Sequence, residues 1–201
     1  LNDGAFIRTD GTIGFMAASG LSVVGTPRLA TRRLELSVPA LNVGRADTLA
    51  QAAAQLPTGM NLSQEVLEAL LAGDPATGAP AVERLSLAVR DSINFYGDVA
   101  LDTYGADGES RLDELLLRTP AIYGWGQAQD TVRLATDTLV WQGGVNGTST
   151  ASAKPGAVPA GGAGTGSGRF EVDARRVVLG YPEQGRARGD IAFDRLMLGF
   201  A

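Results

Sequence analysis

The sequence predicts an all-β fold, a parallel β-helix (solenoid) in which short strands wind into stacked turns. Within residues 132–144 the large apolar side chains are Val132, Leu134, Leu139 and Trp141, at offsets 0, 2, 7 and 9. Two short strands with inward faces at period two, joined by a polar corner, produce this spacing. Because such a unit cannot bury its apolar face alone, it needs copies above and below it.

The same spacing recurs along the chain, and successive units begin 17 or 21 residues apart where no insertion intervenes. This interval is typical of one turn of a β-helix. An antiparallel meander or sandwich is the alternative, although the chain has only one Asn-Gly pair, at 146–147, for a two-residue hairpin. The copies are Leu34, Leu36, Leu41 and Val43; Phe170, Val172, Val177 and Leu179; Ile191, Phe193, Leu198 and Phe200; Leu115, Leu117 and Ile122; and, with one more residue at the corner, Ile13, Phe15, Leu21 and Val23, and Leu85, Leu87, Ile93 and Phe95.

Taken in order, residues 1–43 predict β-helix rungs, because extended runs alternate there with turn residues. Asp10-Gly11 and Ser19-Gly20 supply turns, and Pro27 and Pro39 end extended runs. The expected strands cover residues 5–8, 12–16, 21–24 and 34–38.

Residues 44–80 predict a helical insert packed on the coil, as a lid on its outside or over its end. Asn61 is the expected N-cap, with Gln64 reaching back, and an apolar stripe runs to Gly73 and Pro75. A second short helix is expected over 46–56. The insert covers exposed core in one interpretation and binds a partner in the other.

Residues 81–201 predict further rungs, interrupted by two loops. An acidic loop covers 102–113, and a Gly-, Ala- and Ser-rich stretch at 143–168 has the composition of a flexible loop. GxGxG spacing within 161–168 precedes a strand rather than a helix and lacks a GK[ST] sequence, so it does not indicate nucleotide binding.

Composition excludes several kinds of function. The 201 residues include no His and no Cys, which removes Ser-His-Asp and Cys-His catalysis, disulfides and thiolate metal sites. A net charge of −5 without a basic, aromatic stripe argues against nucleic acid. No apolar run is long enough to span a membrane and no signal peptide is visible. Because the chain begins without Met and ends after a strand pattern, we expect a piece of a longer protein.

Two charged clusters could carry a function in the last rungs. Glu171, Asp173 and Asp194, with nearby arginines, could form a sugar-binding face, since β-helices also include polysaccharide lyases and hydrolases. The default interpretation is an ordinary solvated face. Arg188, Gly189 and Asp190 spell the tripeptide that host integrins recognise, although a three-residue match arises often by chance. The acidic loop lacks EF-hand spacing, so calcium is left open.

The stretch 57–201 resembles the large exoproteins of the filamentous haemagglutinin family, which are secreted proteins of Gram-negative bacteria. The resemblance is carried by PTGMNLSQEVLEALLAGDPATGAPAVERLSLAVRDSINFYGDVALDT, LLLRTPAIYGWG, TLVWQGG and the Gly-rich loop. It implies a right-handed parallel β-helix in a long filament exported by two-partner secretion. The amino-terminal secretion domain of that family is not evident.

Together these features predict a structural and adhesive segment of a secreted bacterial surface filament. We expect no catalysis, cofactor, metal or membrane span. The expected partner is a receptor or glycan on a host or neighbouring cell, and end-to-end self-assembly is a further expectation. The alternative is a carbohydrate-binding or polysaccharide-lyase-type β-helix module.

Overall fold

The chain folds as a mainly β protein with a large parallel sheet. The computed structural model describes residues 1–23, 25, 27–74, 76–143 and 168–180, together with the backbone of 190–192 and 195–199. The regular elements of these residues, in chain order, are β1 (Phe6–Arg8), β2 (Thr12–Met16), β3 (Arg28–Ala30), β4 (Arg33–Gly44), α1 (Ala46–Ala52), a 3-10 turn (Ala53–Gln55), β5 (Met60–Ser63), α2 (Gln64–Ala72), β6 (Arg84–Tyr96), β7 (Val99–Asp102), β8 (Glu114–Arg118), β9 (Ala121–Trp125), β10 (Thr131–Trp141), β11 (Arg169–Leu179), β12 (Asp190–Ala192) and β13 (Arg195–Gly199).

Parallel pairing arranges these strands in three rows, here called rows A, B and C. Row A contains β2, the first halves of β4 and β6, β8, and the second halves of β10 and β11. Row B contains β5, the second halves of β4 and β6, β9 and β12. Row C contains β7, the first halves of β10 and β11, and β13, while β1 and β3 form a separate parallel pair.

The direction of the strands decides between the two predicted architectures. All pairings between the named strands are parallel. The antiparallel bridges of the described residues, Asp74 with Ala79 and Tyr104 with Ser110, lie in loops. The antiparallel meander or sandwich is therefore wrong, and the all-β, parallel prediction is confirmed.

The predicted columns of inward side chains are confirmed from β2 to β8. Leu34 lies beside Ile13 on one side and Leu85 on the other, and Leu85 lies beside Leu115. All four side chains are buried. Row B repeats the pattern with Leu41, Ile93 and Ile122.

From β10 onward the register differs from the predicted one by one row. Val132 lies beside Val99, and the neighbour of Leu115 in β10 is Leu139. The physical reason is that β10 passes from row C into row A, whereas β4 passes from row A into row B. In both strands the corner between the two rows is short. Apolar residues at offsets of 0, 2, 7 and 9 therefore fit a strand that passes from row C into row A as well as one that passes from row A into row B, and they do not identify the row in which a unit begins.

The last predicted unit and the first are corrected in the same way. Ile191 lies beside Ile122 in row B, and Phe170 has Leu196 of row C as its neighbour. Residues 21–23 form no strand. Their expected place beside β4 is taken by β5, in which Met60 lies beside Leu41.

The inward side chains of the three rows form one hydrophobic cluster. Leu34 of row A, Leu41 of row B and Leu134 of row C all belong to it and are buried. Phe95 of row B contacts Phe170 of row C, with ring centroids 6.1 Å apart. Since these rings come from different rows, the inner faces of rows B and C meet across the interior.

Helix α2 lies between β3 and β7, contacting both. Leu67, Leu70 and Leu71 point into the core, and Gly73, at φ 69°, ends the helix. The N-cap is Ser63, whose hydroxyl accepts from the Val66 amide at 3.3 Å. Asn61, the expected cap, lies in β5, so that prediction is wrong.

Helix α1 and the following 3-10 turn confirm the second predicted helix and lie over the outside of row B. Leu49 and Ala52 of α1 pack there against Tyr96, Tyr123 and Trp125, all buried. The Tyr96 and Trp125 rings stack with centroids 6.0 Å apart. This second cluster covers the outer face of β6 and β9 in row B.

Candidate functional site

The structure places Glu171 and Asp173 on the outer face of row C, as the alternation of β11 predicts. Asp173 is engaged by Arg133 of the neighbouring strand, with Nη2 3.2 Å from Oδ2. The other guanidinium nitrogen of Arg133 lies 3.4 Å from Asp102 of β7. Arg133 thus bridges two carboxylates, and the three residues lie on the adjacent strands β7, β10 and β11.

Asp194, the third acidic residue of the predicted sugar-binding face, lies outside the described residues. Asp190 belongs to β12, which pairs with β9 in row B, and its backbone lies beside Ala121. The neighbour of Glu171 in β13 is Met197. Arg188 and Gly189 of the predicted attachment tripeptide also lie outside the described residues, as do residues 144–167 of the predicted flexible loop.

The carboxylates of the acidic loop are used within the loop and in one ion pair with β11. Asp102 accepts from the amide of Tyr104 at 3.1 Å, and Asp107 accepts from the amide of Glu109 at 3.1 Å. Glu109 also pairs with Arg175 at 2.9 Å, and this hydrogen bond and charge raise the pKa of Arg175. In the described part of the chain, no group of three acidic, His or Cys side chains could hold a metal ion.

Tyr104 fastens the same loop to row C. Its hydroxyl donates to the carbonyl of Thr136 at 3.0 Å, and partial burial raises its pKa. A cavity of about 290 Å³ lies between this loop and α2. The residues that line it include the buried Leu71 and Leu112 and the exposed Glu68 and Arg111. Its size is at the lower end for a ligand pocket, and its opposed charges select no ligand class.

The outer face of row A is open and basic, and sequence reasoning missed it. Arg33, Arg84, Arg118 and Arg176 are exposed on it, against Glu35 and Glu114. On this face the arginines outnumber the glutamates, although the whole chain has a net charge of −5. Positive charge is therefore concentrated on the outer face of row A. The sequence does contain a signal for this face. Arginine directly precedes the first inward side chain of row A in three strands, at Arg33, Arg84 and Arg176.

No protein-family model, curated protein or solved structure matches this chain. The resemblance to the filamentous haemagglutinin family therefore stays a prediction. Within the described residues, neither helix has the length and apolar character that crossing a bilayer requires.

Proposed function

We propose that the chain is a structural and adhesive segment of a secreted bacterial surface filament, without catalysis of its own. In this proposal rows A, B and C are the three faces of a right-handed parallel β-helix. The observation that carries it is the stacking of parallel strands in three rows around one core. Chain connections between parallel strands of one sheet are right-handed almost without exception, which favours that hand for the coil.

The placement of α2 also supports a coil. Two strand spacings amount to about 9–10 Å, close to the diameter of an α-helix. Helix α2 therefore fits where one strand of row C would otherwise lie, between β3 and β7. Gln64 of this helix accepts from the edge amide of Ala100 at 3.0 Å, as a neighbouring strand would.

A non-catalytic function is favoured by how the charged groups are used. Asp102 and Asp173 are paired with Arg133, and Glu109 and Asp137 with Arg175. A lyase or hydrolase needs an acid and a base held at a substrate, whereas these carboxylates are engaged in ion pairs with arginines. Glu171- or Asp173-dependent depolymerisation of an acidic polysaccharide by the purified chain would contradict this assignment.

The adhesive part is tested with beads that carry the chain at known density. Such beads should attach to epithelial or bacterial cells, and soluble chain should compete. The matched control is Leu34→Asp, which places a carboxylate in the core and should abolish both folding and attachment. If beads with the folded chain attach no better than beads with this variant, the adhesive proposal is wrong.

End-to-end assembly is the second candidate, favoured by an open strand edge. Among the described residues, β2 pairs only with β4, and Met16 at this edge is 89% exposed while Phe6 of β1 is 50% exposed. Unpaired edges with apolar side chains promote association of strands. Light scattering during size exclusion should show mass rising with concentration, and a strict monomer at every concentration would exclude assembly.

A further inference from the structure

The loop between α2 and β6 contains the one Asp-Pro bond of the sequence, between Asp74 and Pro75. A bond of this type is unusually easy to break in acid, because the aspartate carboxylate can attack its own carbonyl carbon and close a five-membered ring. The proline nitrogen is also a good leaving group, since it becomes a basic secondary amine. The groups around Asp74 therefore determine how fast this bond breaks.

The carbonyl oxygen of Asp74 accepts three hydrogen bonds. The amide of Ala79 donates to it at 3.0 Å, the amide of Thr77 at 3.2 Å, and the Thr77 hydroxyl at 3.3 Å. A carbonyl oxygen has two lone pairs, so three donors are more than a neutral carbonyl needs. Donors that converge on one oxygen stabilise the negative charge that it acquires when a nucleophile adds to its carbon.

The carboxylate of Asp74 is held beside the peptide bond that follows it. Oδ1 accepts from the amide of Ala76 at 3.0 Å, and Oδ2 is paired with Nη1 of Arg28 at 3.0 Å. The bond to Ala76 directs the carboxylate toward the C-terminal side of its own residue, where its carbonyl carbon lies. The Thr77 hydroxyl and the Ala76 amide also lower the pKa of Asp74, so this group stays ionised in mild acid.

We propose that the chain cleaves itself once between Asp74 and Pro75, with Asp74 as the nucleophile. A carboxylate oxygen of Asp74 forms a bond to the Asp74 carbonyl carbon, and negative charge moves to the oxygen held by Thr77 and Ala79. The bond from that carbon to the Pro75 nitrogen then breaks, and the nitrogen keeps the electron pair and takes a proton from the acidic solvent. The cyclic anhydride left on Asp74 adds one water and opens to two carboxylates.

The reaction consumes one water and needs no other reactant. Water reaches the site, since the Asp74 side chain is 25% exposed. Each molecule reacts once, so the chain is its own substrate rather than an enzyme. The inference goes beyond the adhesive function proposed above and does not depend on it.

The cleavage leaves the two pieces of the fold paired. Residues 1–74 contain β1 to β5 and α2, and residues 75–201 contain β6 to β13. Strand β4 of the first piece pairs with β6 of the second over nearly its whole length. Leu67 and Leu70 of α2 belong to the core that both pieces share. We therefore expect the pieces to stay together until the protein is denatured.

The test incubates the complete chain at the lowest pH at which circular dichroism still shows the native fold, and follows the products by intact mass. We expect pieces of residues 1–74 and 75–201, whose masses together exceed that of the chain by one water. The reference is the same chain unfolded in urea at the same pH, where the donors to Asp74 are dispersed. The native chain should be cleaved at least about tenfold faster, since a single converging donor contributes about 10²–10³ in enzymes.

A matched pair of variants tests the hydroxyl donor. Thr77→Val removes the hydroxyl and keeps the Thr77 amide, so it should slow cleavage of the native chain at least about threefold and leave the rate of the unfolded chain unchanged. The control is Thr58→Val, which removes an exposed hydroxyl in another loop and should change neither rate.

Three results would overturn the inference. One is a native chain that stays intact, and another is a native chain cleaved no faster than the unfolded chain, which would be the ordinary acid lability of an Asp-Pro bond. The third is an unchanged native rate in Thr77→Val. Because attachment of coated beads to cells does not require the cleavage, any of these results would leave the adhesive proposal standing.

Discussion

Replacing Asn94 with Ala tests how row B is held together. The buried Asn94 side chain donates through Nδ2 to Asn42 at 3.1 Å and accepts through Oδ1 from Ser92 at 3.1 Å and from Trp125 Nε1 at 3.3 Å. In Asn94→Ala the Asn42 carbonyl, the Ser92 hydroxyl and the Trp125 N–H lose these partners under α1, away from water. Each orphaned buried group costs about 1–3 kcal/mol, so we expect a loss of about 3–9 kcal/mol. Total stabilities are about 5–15 kcal/mol, so this loss would be large.

The assay is urea unfolding followed by far-UV circular dichroism, which does not depend on Trp125 as a probe. The matched control is Asn61→Ala, at the exposed end of the same ladder. Asn61 accepts one bond from Asn42 at 2.8 Å, and that amide keeps a second acceptor, the carbonyl of Pro57, at 3.0 Å. We expect the control to cost about 1 kcal/mol or less. If Asn94→Ala costs no more than Asn61→Ala, the reasoning about the buried ladder is refuted.

Two further predictions test the register of row A and the burial of Tyr96 in row B. Glu114→Cys/Thr138→Cys should form an intramolecular disulfide, because neighbours on adjacent strands lie within the required Cα separation of about 4.4–6.8 Å. The control is Glu114→Cys/Thr131→Cys, the pair expected from the repeat alone, which should form none. Free thiols are counted without ambiguity in a chain that has no Cys of its own, and a disulfide in the control pair instead would exclude this register. Burial raises the pKa of Tyr96 above its usual value, so unfolding releases its proton above about pH 10. The contribution of Tyr96 to stability should be constant below that pH and should fall above it by about 1.4 kcal/mol per pH unit. Urea unfolding across this range should show a smaller slope for Tyr96→Phe, and an unchanged slope would contradict the assignment.

Much of the fold follows from local patterns that the sequence displays. Period-two alternation places Leu34 and Leu85 inward because a strand points successive side chains to opposite faces. The stripe of α2 is equally local. The row to which a strand belongs is not local, because the corner from row C to row A is as short as the corner from row A to row B. Only pairing with a distant strand distinguishes Leu139 from Val132 as the neighbour of Leu115.

The same limit explains the candidate sites. Glu171 and Asp173 attract notice as close acidic neighbours in one strand, but Arg133, which neutralises Asp173, is 40 residues away in the chain. Arg33 and Arg84 are separated by 51 residues, and nothing local indicates that they are side by side. A charged face made of one residue from each strand becomes visible only once the register is known.

The three outer faces differ in what they leave for a partner. Row B is covered by α1 and its aromatic cluster. The described carboxylates of row C, apart from Glu171, are bound by Arg133. Row A is the open face, and it carries both signs, because Arg84 has Arg33 on one side and Glu114 on the other. Interspersed charges of this kind keep a sheet face solvated and discourage association of like faces. The charges of row A therefore select no ligand by themselves, and a partner for this face has to be recognised through more than its arginines.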